Sequence, residues 1–79
     1  MKEINVGATS IDKKESAARA AKFIDEVSNG LHQGDTLSRS EYQALKKMAR
    51  ELFEGSRITK DDYDYILEKL RWMRKVPKH

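Results

Sequence analysis

Apolar positions along the chain fall into three blocks with a helical period. In the first, Ala17, Ala20, Ala21, Ile24, Val27 and Leu31 recur at the spacing that lines one face of an α-helix. This predicts α1 over residues 12–29, closed by Asn29-Gly30, two residues that tolerate a left-handed stop. The second block turns Tyr42, Leu45, Met48, Ala49, Leu52 and Phe53 to one side and predicts α2 over 38–54, ending at Gly55. The third presents Tyr63, Ile66, Leu67, Leu70 and Met73 and predicts α3 over 59–75, with Pro77 opposing further extension. Residues 1–10 keep no period and read as a flexible arm, with a short strand through Ile4 and Val6 as the alternative. The expected fold is an all-α three-helix bundle, a single domain over 11–76 with a C-terminal tail at 77–79.

A repeated local motif marks the helix starts. Gly34-Asp35-Thr36-Leu37-Ser38-Arg39-Ser40-Glu41-Tyr42 and Gly55-Ser56-Arg57-Ile58-Thr59-Lys60-Asp61-Asp62-Tyr63, 21 residues apart, share the pattern G-x-x-[LI]-[ST]-[RK]-x-[ED]-Y. With Ser38 at the N-cap, Glu41 falls three residues on, the arrangement of a reciprocal capping box. Leu37 and Tyr42 then occupy the two positions of a hydrophobic staple. Ile58, Thr59, Asp62 and Tyr63 repeat each assignment, and Ile11, Asp12 and Glu15 form a weaker third copy without the tyrosine. Beyond the shared residues the copies diverge: Ala44 aligns with Tyr65, and Glu51 with Trp72.

The short connection between α2 and α3 predicts an antiparallel helical hairpin, with α1 packed across it. Leu45 to Phe53, then Gly55, then Ile58-Thr59 with Asp62-Tyr63, running on to Glu68-Lys69-Leu70, resembles the short C-terminal (SHOCT-like) α-hairpin family. One residue more than usual separates Gly55 from Ile58. The resemblance spans residues 45–70, about a third of the chain. It implies a bacterial protein with an association role and no catalytic residues; the overall reading is a protein of bacterial or phage type.

Composition narrows the function classes. A chain of 79 residues holds one small core. Such domains bury only about 60% of their unfolded surface and often depend on reinforcement. Cysteine is absent, so neither disulfides nor thiolate metal sites supply it, and self-association is the expected route. No apolar run approaches the roughly 18 residues of a membrane span, and Lys2 is followed by no hydrophobic stretch of a secretory signal. A cytoplasmic protein with no membrane partner and no small-molecule substrate is expected. The net charge of +3 is unevenly placed: Lys69, Arg71, Arg74, Lys75 and Lys78 follow Glu68 without an intervening acid. The remainder carries 11 basic against 13 acidic residues, a net −2. A basic end fits an acidic partner or nucleic acid, or cations complementing a helix dipole.

Candidate chemistry is sparse. Asp61, Asp62 and Asp64 lack the ligand spacing and glycine of a calcium loop and read as first-turn capping residues. His32 and His79 have no neighbouring nucleophile, so no enzyme, cofactor or metal is expected. A helix-turn-helix DNA reader would put those three aspartates where base-reading residues meet phosphate, an electrostatic conflict.

The aromatic stripe of α3 is the informative surface. Tyr65 and Trp72, seven residues apart, lie within about 20° of each other around a helix, and Val76 continues the line opposite the apolar face. Either α1 covers this stripe and α3 is the central helix, or the stripe meets a partner. A partner would contact Tyr65, Lys69, Trp72 and Val76, with Arg71, Arg74, Lys75 and Lys78 as a basic patch. The expected function is a non-enzymatic interaction or regulatory module, self-associating or bound to a protein. The alternative is a nucleic-acid-binding accessory protein that stacks bases on the aromatics beside its basic C-terminal end.

Overall fold

A computed structural model describes residues 11–78. The arm and the alternative strand expected within 1–10, and His79, lie outside the described residues. Three helices form, α1 (Lys13–Asn29), α2 (Arg39–Glu54) and α3 (Lys60–Lys75), and no strand appears among the described residues. The chain is an all-α three-helix bundle, as its periodicity predicts.

Each helix starts where the motif places it. The Asp12 carboxylate accepts from the backbone N–H groups of Lys14 (2.8 Å) and Glu15 (3.3 Å). Ser38 and Glu41 close a full capping box, with the Glu41 N–H donating to Ser38 Oγ and the Ser38 N–H to the Glu41 carboxylate, both at 3.1 Å. These bonds hold the Glu41 carboxyl below its ordinary pKa, the backbone N–H of Ser38 contributing most and its side chain next.

At α3 the reciprocal half of the box is made by a different helix. Thr59 accepts from the Asp62 N–H at 3.2 Å. The Thr59 N–H instead donates to Ser16 Oγ of α1 at 2.8 Å. The Ser16 hydroxyl in turn donates a hydrogen bond to Asp62 Oδ2, which also accepts from the Thr59 hydroxyl at 3.1 Å. Aspartate is one methylene shorter than glutamate, and Ser16 spans the difference. Ser16 is fully buried, and it ties α1 to the start of α3.

α1 and α2 end where the sequence places their stops, at Asn29 and Glu54, but the capping differs from expectation. α2 closes with the paired bonds Arg57 N–H to Leu52 O (2.9 Å) and Ser56 N–H to Phe53 O (3.1 Å), a Schellman arrangement. Its left-handed residue is Ser56, at φ 59°, whereas Gly55 stays right-handed at φ −83°. α1 ends without a left-handed residue, because Gly30 has φ −80°. Glu26 O and Val27 O accept from the Gly30 N–H and Ser28 O from the Leu31 N–H, and the Lys78 ammonium adds bonds to Ser28 O (2.6 Å) and to Leu31 O (3.0 Å) just past the helix. The tail is therefore integrated into the domain. Lys78 also exchanges backbone bonds with the α1–α2 loop, accepting from Gly34 (2.7 Å) and donating to Asp35 (3.0 Å), and Leu37 donates to Met73 O at 3.0 Å. Gly34 supplies the positive φ, 87°, that this loop requires.

These links fix the directions. α1 and α3 run parallel, and α2 is antiparallel to both. α3 is central: α1 and α2 each pack against it and make no close backbone contact with one another. Ala20 of α1 and Ala49 of α2 are fully buried and let both backbones approach α3. Ile66 and Leu70 of α3 fill the centre, closed by Leu37 and Ile58, the apolar residues that precede the two N-caps. Phe53 and Tyr63 stack across the hairpin at 4.9 Å between ring centroids and 9° between planes.

The inward faces differ in detail from the expected ones. On α1, Ser16 and Ala20 are buried and Phe23, Ile24, Val27 and Leu31 flank them, while Ala17 and Ala21 face solvent. On α2, Met48 is 52% exposed. It sits on the side toward α1, where the two helices leave a gap rather than a contact.

Candidate interaction surface

The stripe on α3 arises from the helical period. Ile66 and Leu70 face the core, and about 130° around the axis stand Tyr65 and Trp72, 40% and 61% exposed. α1 packs on α3 beside this stripe and does not cover it. The indole forms a ridge with a hollow on each side. One hollow is bordered by Glu68, Arg71 and Lys75. The other faces α1, where Ile24 and Ser28 form the far wall and Val76 the floor. Val76 is only half exposed there.

The basic residues divide into two groups. Lys69 stands over the Tyr65 ring at 5.7 Å from its centroid, and Arg71 and Lys75 are exposed beside Trp72. These three share the ridge. Arg74 turns toward α2, over the Tyr42 ring at 5.3 Å, a ring that Lys46 also approaches at 5.3 Å. Lys78 is held by the α1 carbonyls. Of the four residues grouped as a basic patch, the fold thus leaves Arg71 and Lys75 beside the aromatics. Glu68 joins this surface, a neighbour the sequence reading passed over although i, i+4 spacing from Trp72 marks it.

The acidic cluster at the start of α3 is absorbed into the fold. Asp62 serves the Ser16–Thr59 network, Asp64 pairs with Lys60 at 3.4 Å, and Asp61 is exposed in the first turn. Among the described residues no group of three or more His, Cys, Asp or Glu side chains could hold a metal ion. Nor is any described helix long and apolar enough to cross a membrane.

A second apolar surface lies in the gap between α1 and α2. Phe23 and Val27 line one wall and Leu45, Met48 and Leu52 the other. Sequence reading placed Met48 in the core and so missed this groove; the signal was available in Ala44 and Glu51, the small and the acidic residue that the repeat sets against Tyr65 and Trp72.

The chain matches no family model, no curated protein and no solved structure.

Proposed function

We propose that this chain is a small non-enzymatic interaction and regulatory module, self-associating or bound to a protein partner through the aromatic and basic face of α3. The exposure of Trp72 carries this reading: the most exposed large apolar side chain among the described residues stands on a ridge with a second aromatic and three cations around it. Tryptophan and tyrosine are enriched among residues that dominate binding energy, and an apolar strip of this kind on a small domain marks a contact surface.

The nucleic-acid reading retains Lys69, Arg71 and Lys75 beside two stacking surfaces. Arg74 and Lys78, which it also needs, are engaged within the fold. Salt separates the readings, because phosphate contacts lose affinity steeply as salt rises. Replacing Trp72→Ala is expected to weaken association by about tenfold or more, with the helical circular-dichroism signal retained. Binding of nucleic acid that vanishes between low and physiological salt, with no protein association at either, would reverse the choice.

A further inference from the structure

The gap between α1 and α2 has the spacing and charge of a receptor for the α3 ridge. It contains two hollows. The first takes Glu41, Ala44 and Leu45 from α2, and the second takes Met48, Glu51 and Leu52. Each residue of the second set lies seven positions beyond its counterpart in the first, which separates the hollows by about 10.5 Å along the helix. Tyr65 and Trp72 are also seven positions apart, so the two knobs have the pitch of the two holes. The 21-residue repeat expresses the same relation: Tyr65 and Trp72 occupy on α3 the positions that Ala44 and Glu51 occupy on α2. One copy of the motif carries knobs where the other leaves room for them.

Charge agrees with shape. Glu26, Glu41 and Glu51 border the groove, with Arg57 the basic residue at its far end. Lys69, Arg71, Lys75 and Lys78 border the ridge, with Glu68 and Asp25 its acids. Each surface thus carries two charges in excess, of opposite sign. Met48 is half exposed in the second hollow and offers an unbranched thioether that adapts to an aromatic ring.

We propose that the Tyr65–Trp72 ridge of one copy seats in the α1–α2 groove of a second copy of this chain, so that the protein associates head to tail. This rests on the reading of α3 as the interaction face and names what that face meets. The ridge stands about 130° around α3 from Ile66 and Leu70, which face the core between the helices, so ridge and groove do not share a face. The contact is therefore heterologous, leaving a free groove at one end of a pair and a free ridge at the other, and it propagates into a ring or a filament.

Sedimentation equilibrium of the full chain over a concentration series tests this with two variants. Trp72→Ala removes the ridge and leaves the groove. Glu26→Lys with Glu51→Lys reverses the groove and leaves the ridge. All three substituted residues are exposed, and circular dichroism confirms that each variant folds. The wild type is expected to grow beyond two copies with concentration. Trp72→Ala is expected to associate about 30-fold more weakly, the loss of a tryptophan hot spot, and the groove variant to weaken in the same direction. Mixed in equal amounts, the two variants should form a 1:1 pair and stop there, since one intact ridge meets one intact groove. A groove variant that associates like the wild type while Trp72→Ala does not would overturn the head-to-tail contact and leave α3 as the interaction face. A mixture that forms no pair, or a wild type that is monomeric throughout, would also overturn it.

Discussion

Ser16 performs with one hydroxyl what Glu41 performs with a carboxylate: it satisfies the backbone N–H of an N-cap residue. The difference is that Ser16 belongs to another helix, so the cap of α3 is also a tertiary contact. Replacing Ser16→Ala leaves the Thr59 N–H without its acceptor and takes a donor from Asp62. Leaving buried polar groups unpaired costs about 1–3 kcal/mol, and denaturant unfolding should show a loss of that size. A loss below 0.5 kcal/mol, roughly the floor for such a bond, would mean that water replaces the hydroxyl. Ser56 holds the opposite kind of opportunity. At φ 59° a side chain is strained and glycine is not. Ser56→Gly is expected to stabilise the domain by roughly 0.5–1 kcal/mol, read as a higher denaturation midpoint with unchanged slope.

At the level of elements, the starts and the end positions of all three helices were legible, and the way the first two ends are capped was not. An N-cap is local: Asp12, Ser38 and Thr59 satisfy donors two or three residues ahead, and the sequence displays both partners. The capping of a C-terminus depends also on what arrives from elsewhere. Ser28 O in the last turn of α1 takes a further donor from Lys78, some 50 residues on, which no local pattern around Asn29-Gly30 reveals. At α2 the glycine stands one place before the residue that takes the left-handed conformation. The Lys78 contact has its own test. Lys78→Met keeps the aliphatic stem and removes the ammonium, and it should destabilise the protein by about 1 kcal/mol. The amide of Gly34, which donates to Lys78 O, should exchange faster in that variant. Unaltered Gly34 protection would show that the tail is held by its backbone alone.

Across the whole molecule, the order of packing decided what the residue pattern could not. Periodicity identifies an apolar face, but it does not say whether two such faces meet each other or a third helix. Here both α1 and α2 meet α3, which exposes Met48, turns Ala17 and Ala21 outward, and draws Phe23 and Ser16 to the inner side. The aromatic stripe was legible because a helix with one buried face has no internal use for a second. The two groups of cations were not, since Arg74 and Lys78 find their partners only through tertiary structure. Trp72 is the only tryptophan in the chain, so its fluorescence reports on the proposed contact without substitution. In dilute solution the emission should be that of an exposed indole, shifting to shorter wavelength as concentration rises and copies associate. Emission that is already short in the isolated monomer, or that stays long at every concentration, would contradict self-association through this ridge.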